Sequence, residues 1–221
     1  MPPLALYYLA TILEDNSISV DIVDPSIISK STYFDNDVEA KNFIKGLFQN
    51  KEYDAILFSA TTGNWGVTKE MIQKIHEEFP DIPICVGGIH ISYFAKHIVT
   101  SMPYLIALQG EGEKNIVSVL KNIKNYKALK EIPNIVFYDG KKIVETTKNE
   151  LMGVEELEKI RNVDYSKVPK NNYGCIGLET SRGCKFRCVF CSVSYKHKWR
   201  GLTEQHLSLI HISEPTRLAL I

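Results

Sequence analysis

The stretch that decides the fold is Ile82-Pro83-Ile84-Cys85-Val86-Gly87-Gly88-Ile89-His90. Its first five residues form an apolar run, which is typical of a buried strand. The residues from Gly87 to His90 are rich in glycine and predict a loop, and we expect a helix over residues 93–101. The stretch therefore predicts one strand, loop and helix unit.

The same pattern repeats on both sides of this stretch. Apolar runs at 53–59 and 104–109 predict strands, and amphipathic patterns predict helices over 37–50, 66–79 and 114–125. Short strands that alternate with helices are typical of βαβ units and a parallel sheet. The predicted fold class is α/β, with a parallel-sheet Rossmann-like domain.

Regions outside this alternation are predicted separately. Residues 4–13 follow two prolines and predict an opening helix, and residues 19–25 form a short β-rich run. Asp139-Gly140-Lys141 lies between two β-prone runs, which predicts a hairpin. We interpret residues 131–174 as this hairpin and a linker.

Three small polar loops follow the predicted strands, at 59–64, 87–90 and 110–113. In parallel sheets, ligands bind at the carboxyl ends of the strands, where these loops lie. Glycines in such loops also serve turn geometry alone. Two interpretations stay open: a shared ligand crevice, or turns without a ligand.

Composition restricts the function classes. The 221 residues carry 26 basic and 26 acidic side chains, so no broad electrostatic surface for nucleic acid is expected. No apolar run is long enough to span a membrane, and three of the five cysteines lie within residues 184–191. This usage is typical of metal binding in a reducing compartment, so we expect a cytoplasmic protein.

The clustered cysteines are Cys184, Cys188 and Cys191, in a Cys-x3-Cys-x2-Cys spacing. A [4Fe–4S] cluster takes four thiolate ligands, so a loop with three leaves one iron free for a ligand that is not protein. One alternative is a zinc site, which requires a fourth ligand such as Cys175 or His197. Another is a chance cluster of buried thiols.

This spacing, with the aromatic Phe190 just before the third cysteine, resembles the signature of the radical SAM superfamily. The resemblance implies that Cys184, Cys188 and Cys191 bind a [4Fe–4S] cluster whose open iron chelates S-adenosylmethionine. It further implies that Phe190 lies beside the adenine. Lys185 and Arg187 would offset the negative charge of the cluster.

The loops of residues 1–130 resemble those of the cobalamin-binding Rossmann domain that precedes the radical SAM barrel in many enzymes. The order of the motifs carries this resemblance: Pro3-Leu4, Tyr8-Leu9-Ala10, Val23-Asp24, Ser59-Ala60-Thr61, Gly87-Gly88-Ile89-His90 and Gly110-Glu111-Gly112-Glu113. It implies cobalamin as a cofactor, with these candidate contacts: Ser59, Thr61, Gly87, Gly88, His90, Gly110 and Glu111.

The sequence departs from that family in two ways. The first strand and its loop are absent before Pro3. The Asp-x-His-x-x-Gly loop that supplies a histidine to cobalt in other cobalamin proteins is also absent, although many radical SAM members with this domain lack it too. His90 occupies a different loop, and we interpret it as a loop or core residue in preference to a ligand. The cobalamin prediction is therefore conditional.

The end of the chain resembles a different kind of sequence. Residues 207–217 match the in-frame translation of a transposase sequencing adapter, so 207–221 are interpreted as a non-native tail. The domain prediction is a Rossmann domain at 1–130, a hairpin and linker at 131–174 and the truncated start of a radical SAM (β/α) barrel at 175–206. We therefore expect a fragment that is inactive by itself.

The resemblance implies an enzyme that cleaves S-adenosylmethionine reductively to a 5′-deoxyadenosyl radical, with cobalamin-dependent methyl transfer or related chemistry. The implied partners are a small-molecule substrate and an electron donor such as flavodoxin or ferredoxin. Two alternatives stay open: a Rossmann domain that binds no cobalamin, and a metal-binding module without catalysis.

Overall fold

The computed structural model describes residues 3–24, 37–49, 51–160, 163, 168, 173, 175, 177–186, 188–191 and 198–205. The chain divides into two compact units. The sheet unit is Val23–Glu150, and the cysteine unit combines Met1–Ile22 with Leu151–Ile221. The sequence predictions for Pro25, Arg187, His197 and residues 207–221 fall outside the described residues.

The sheet unit alternates helices and strands along the chain. Its strands are β1 Ile56–Ser59, β2 Ile84–Gly87, β3 Leu105–Leu108, β4 Ile135–Tyr138 and β5 Ile143–Glu145. Its helices are α2 Asp37–Phe48, α3 Trp65–Glu78, α4 Ile89–Ser101, α5 Ile116–Lys121 and α6 Tyr126–Leu129, with a 3-10 turn at Gly112–Lys114. The cysteine unit supplies α1, Leu4–Asp15, which precedes them in the chain.

The five strands form one sheet in the order β1-β2-β3-β4-β5. β1, β2 and β3 are parallel, with Ile56 opposite Ile84 and Ile84 opposite Leu105. β4 is antiparallel to β3, and β5 is antiparallel to β4. The Rossmann-like class is confirmed. The predicted hairpin is formed by β4 and β5, and it extends the sheet, which is mixed and not purely parallel.

The sheet is stable because its strands bury apolar side chains against helices on the same unit. Residues of β2 and β3 are almost entirely buried, including Ile84, Val86, Leu105 and Ala107, each at 1% exposure or less. Apolar positions at helical spacing, namely Met71, Ile72 and Ile75 on α3 and Ile91, Ala95, Ile98 and Val99 on α4, join the same core. This packing holds the carboxyl ends of β1, β2 and β3 at one edge.

Three local predictions differ from the structure. Residues 19–24 are not a strand, because no described strand pairs with them. α4 begins at Ile89, four residues before the predicted start. The helix expected over 114–125 is shorter, because α5 spans only Ile116–Lys121. Asn115 is its N-cap, whose backbone carbonyl accepts from the Val119 N–H at 2.8 Å and whose side-chain amide donates to the Pro133 carbonyl at 2.9 Å.

The turn between β4 and β5 is closed by Asp139. Its Oδ1 accepts from the backbone N–H groups of Lys141 at 3.0 Å and Lys142 at 2.9 Å. Its Oδ2 lies 2.6 Å from Lys130 Nζ. Hydrogen bonding to Lys130, followed by the Lys142 N–H, holds the pKa of the Asp139 carboxyl well below its usual range.

We expect Asp139→Asn to lower stability at neutral pH, and the difference from wild type to shrink as the pH falls below about 4. The folded pKa is depressed, so the stabilisation by the charged carboxylate is fully present above the unfolded pKa of about 3.9 and is lost only as the pH falls from that value through the lower folded pKa. Urea unfolding midpoints of both proteins at pH 7 and at about pH 2 measure the change. The exposed Asp81→Asn is the matched control, and equal midpoint differences at both pH values would contradict the prediction.

In the cysteine unit, α1 packs through Tyr7 and Tyr8 against Val163 and Val168. Its other elements are short: α7 Val154–Glu158, β6 Ser181–Arg182 and β7 Arg200–Gly201, the two strands being antiparallel. Across the described parts of both units, no helix has the length and apolar character that a bilayer span requires.

Candidate functional site

The loops after β1 and β2 meet backbone to backbone at the carboxyl edge of the sheet. The Ala60 N–H donates to the Gly87 carbonyl at 2.9 Å, and the His90 N–H donates to the Ala60 carbonyl at 3.2 Å. Ala60 is buried, whereas the flanking Ser59 and Thr61 side chains are exposed. The edge therefore presents two hydroxyl groups to solvent beside a tightly held loop.

Gly88 is the point of closest approach between these loops. Its backbone has φ 101° and ψ −178°, a region that essentially only glycine adopts. A Cβ atom at this position would lie 2.5 Å from the Ala60 carbonyl oxygen and 2.8 Å from the Ala60 nitrogen. The second glycine of the Gly87-Gly88 pair is thus required by packing, whether or not a ligand binds.

His90 lies in the first turn of α4 and is 9% exposed. Its ring stacks on Trp65, with 4.9 Å between centroids, and contacts Phe94 at 4.8 Å. Its Nδ1 is 3.2 Å from the hydroxyl of Thr62, and burial lowers its pKa. These contacts make His90 a buried aromatic residue that fixes the loop after β1.

The loop after β3 is joined to the same edge. The Gly110 N–H donates to Ser92 Oγ at 2.8 Å, and Glu111 is buried at 7% exposure. The side-chain oxygen of Gln109 is buried and has no hydrogen-bond partner among the described residues. The structure therefore brings Ser59, Thr61, Gly87, Gly88, His90, Gly110 and Glu111 to one edge of the sheet unit.

The cysteine loop follows β6 in the other unit. The Phe186 N–H donates to Cys184 Sγ at 3.4 Å, and the Cys191 N–H donates to the Cys188 carbonyl at 3.0 Å, which forms a turn. Lys185 Nζ lies 4.4 Å from the ring centroid of Trp199. Cys188 is exposed, and Cys184 and Cys191 are half-buried.

The donor set suits iron, because Fe–S clusters are held by cysteine thiolates and are tuned by N–H groups that bond to sulfur. Within the described residues, however, no three side chains of His, Cys, Asp or Glu lie close enough together to hold a metal ion. Phe190 is 89% exposed on this loop. The cluster assignment therefore stays a prediction.

Cys85 is a thiol of a different kind. It is 1% exposed in β2, and burial raises its pKa to about 12. A thiol with this pKa stays protonated at neutral pH, whereas metal binding requires the thiolate. Cys85 is therefore a core residue of the sheet.

Comparison with known proteins decides the family. Residues 1–120, more than half of the chain, match the family described as the B12 binding domain. The chain belongs to the B12-binding domain family. The three joined loops of the sheet unit all lie within the matched residues.

Relatives of this B12-binding domain chain are larger proteins. The chain is 26% identical over 224 residues to "Uncharacterized methyltransferase PH0819" of Pyrococcus horikoshii, covering 95% of the chain and 46% of that protein. The chain therefore spans about half the length of this curated relative.

Two solved structures share the fold of the B12-binding domain chain. The cobalamin-dependent S-adenosylmethionine radical enzyme OxsB, with aqua-cobalamin and S-adenosylmethionine bound, has a TM-score of 0.74 at 22% identity, covering 96% of this chain and 29% of OxsB. TsrM from Kitasatospora setae is a radical S-adenosylmethionine methyltransferase with cobalamin and a [4Fe–4S] cluster bound. It has a TM-score of 0.73 at 18% identity, covering 94% of this chain and 42% of TsrM.

Sequence reasoning missed Ser92, Thr62 and Gln109 at the carboxyl edge of the B12-binding domain. Ser92 was not predicted as a site residue, because the helix was predicted to begin at residue 93 and the serine was therefore placed in a loop. A signal was present, since serine in the first turn of a helix often bonds a nearby backbone group. Gln109 gave no sequence signal, because the lack of a partner for its oxygen among the described residues is visible only once its neighbours are in place.

Proposed function

We propose that the chain binds cobalamin through the sheet unit and forms part of a cobalamin-dependent radical SAM enzyme. The observation that carries the proposal is the match of residues 1–120 to the B12 binding domain. The fold shared with OxsB and TsrM supports it. When bound, cobalamin would supply methyl transfer, and a [4Fe–4S] cluster would supply the electron that cleaves S-adenosylmethionine.

The residues at the carboxyl edge suit a large ligand with many carboxamide groups, as a corrin has. Ser59 and Thr61 offer exposed hydroxyls, and the buried side-chain oxygen of Gln109 can accept a hydrogen bond that no described residue donates. Their role in the proposed function is to bind and orient the ligand. His90 holds the loop after β1 and is assigned no bond to cobalt, because the residue is 9% exposed and its ring packs between Trp65 and Phe94.

In the cysteine unit we assign Cys184, Cys188 and Cys191 as the ligands of a [4Fe–4S] cluster and Phe190 as a residue beside the adenine of S-adenosylmethionine. The Cys-x3-Cys-x2-Cys spacing and the sulfur-directed N–H of Phe186 support this assignment. Residues 175–206 are then the start of the radical SAM domain. A small electron-transfer protein such as flavodoxin or ferredoxin is the proposed electron donor, and the substrate is a small molecule.

Anaerobic loading with hydroxocobalamin tests the sheet unit directly. We expect the purified chain to retain about one cobalamin per chain after gel filtration, as measured by the visible spectrum, in which cobalamin bands are separable from iron–sulfur bands. A chain that emerges without cobalamin contradicts the cobalamin proposal. That result favours the second candidate, a radical SAM protein whose Rossmann domain is a scaffold.

One observation favours that second candidate. His90 is almost entirely buried, and its ring is held by Trp65, Phe94 and Thr62. A scaffold requires only that the loops fold, whereas cobalamin binding requires that they also leave polar groups available. The visible spectrum after loading therefore separates the two candidates.

A further inference from the structure

The Ser92 hydroxyl links two glycine loops at the carboxyl edge. Its Oγ donates to the Gly88 carbonyl at 3.0 Å and accepts from the Gly110 N–H at 2.8 Å. Gly88 belongs to the loop after β2, and Gly110 belongs to the loop after β3. One half-buried side chain thus uses both its donor and an acceptor lone pair to hold two loops together.

The bond from Gly110 distinguishes Ser92 from Thr100 and Ser101, the other Ser and Thr residues of α4. Thr100 and Ser101 on α4 also donate to carbonyls of their own helix, Lys96 at 2.7 Å and Ile98 at 2.9 Å. Such bonds within a helix are common and carry no information about a site. The contact between Ser92 and Gly110 instead joins residues 18 positions apart in the chain.

The first turn of α4 also holds the loop after β1. The His90 N–H donates to the Ala60 carbonyl at 3.2 Å, and the His90 ring reaches the Thr62 hydroxyl. All three loops that end the parallel strands are therefore attached to residues 88–92. Of these attachments, the loop after β3 depends on the Ser92 hydroxyl.

We propose that Ser92 is a positioning residue for the cofactor. Its hydroxyl holds the loop after β3, which contains Gln109 and Gly110, at a fixed distance from the loop after β2. This inference rests on the proposed cobalamin binding. Ser92 contacts the loops and is not assigned a contact with the ligand. If the Ser92 hydroxyl is removed, the Gly110 N–H loses its acceptor and the loop after β3 samples more conformations. Ordering that loop when the ligand binds then costs more conformational entropy.

The test compares Ser92→Ala and Ser92→Thr with the wild-type chain, and Ser101→Ala is the matched control on the same helix. We expect Ser92→Ala to weaken the binding of hydroxocobalamin about tenfold, as the loss of one hydrogen bond predicts. Ser92→Thr keeps the hydroxyl and should restore binding to within about twofold of wild type. Ser101→Ala should bind like wild type.

A second measurement does not depend on the cofactor. Hydrogen exchange of the Gly110 amide, followed by NMR on the ligand-free chain, should be at least about tenfold faster in Ser92→Ala than in wild type. Amides of β2 and β3 should keep their wild-type exchange rates. This readout separates a local change at Gly110 from general destabilisation.

Each outcome decides the inference. Unchanged binding in Ser92→Ala overturns it, and so does equal weakening by Ser92→Ala and Ser101→Ala, or a failure of Ser92→Thr to restore binding. A wild-type chain that binds no cobalamin defeats the proposed function and, with it, the role of Ser92 for the cofactor. The exchange rate of the Gly110 amide then decides the structural part alone: an unchanged rate in Ser92→Ala shows that the hydroxyl does not fix the loop, and an accelerated rate shows that it does.

Discussion

Gly88→Ala is expected to lower the free energy of unfolding by about 3 kcal/mol or more and to abolish cofactor binding at the carboxyl edge. The backbone at Gly88 has φ 101° and ψ −178°, where a residue with a side chain pays about 1–3 kcal/mol in strain. The new Cβ would also overlap the Ala60 backbone at 2.5 Å. Because that backbone accepts the His90 N–H, relief of the overlap separates the loops after β1 and β2.

The neighbouring Gly87→Ala is the matched control for stability. Its Cβ would lie 3.9 Å from Leu108, an ordinary van der Waals contact, so we expect the free energy of unfolding to change by no more than about 1 kcal/mol. Urea denaturation of both variants measures the difference. Equal stability of the two variants would show that the close approach at Gly88 is not a constraint on the fold.

Cys188→Ala is expected to abolish iron–sulfur cluster binding, from about four iron atoms per reconstituted wild-type chain to nearly none. Cys188 is the central cysteine of the Cys-x3-Cys-x2-Cys spacing, and its side chain is exposed. Its replacement by alanine therefore removes a thiolate and does not create a cavity in the core. A cluster that is left with two protein ligands does not persist. Iron and acid-labile sulfide, measured after anaerobic reconstitution, give the result.

Cys175→Ser is the control, because Cys175 is exposed and lies outside the proposed ligand set. We expect this variant to keep the iron and sulfide content of wild type. Full iron and sulfide in Cys188→Ala would refute the ligand assignment. Zinc in place of iron, lost in Cys175→Ser, would instead support the zinc site with Cys175 as fourth ligand.

The alternation of apolar runs and amphipathic patterns was sufficient to predict the fold class. Buried parallel strands require continuous apolar sequence. The strands at residues 56–59 and 105–108 therefore fall inside the predicted runs, and the strand at 84–87 exceeds its predicted run of 82–86 by one residue, Gly87. The role of the hairpin was not predictable. Asp139-Gly140 specifies a turn between two strands, but turn chemistry does not say which other strand the hairpin joins.

The candidate site was predictable as a set of loops and not as a set of contacts. Glycines after strands indicated the edge where ligands bind, and Gly87, Gly88 and Gly110 do lie there. The sequence did not distinguish Gly88, which no other residue can replace without strain, from Gly87, which tolerates a Cβ. It also gave no indication that Ser92 reaches Gly110, since that pairing depends on how α4 packs beside β3.

The sequence by itself determined two things about this protein: the Rossmann-like class, through local hydrophobic periodicity, and the candidate cysteine ligands, through their spacing. Both are properties of neighbours along the chain. Only the tertiary structure decided that the sheet is mixed, that His90 is enclosed by Trp65 and Phe94, and that one hydroxyl at Ser92 joins two glycine loops. Those features join residues distant in sequence, and they exist only once the core has fixed the strand ends side by side.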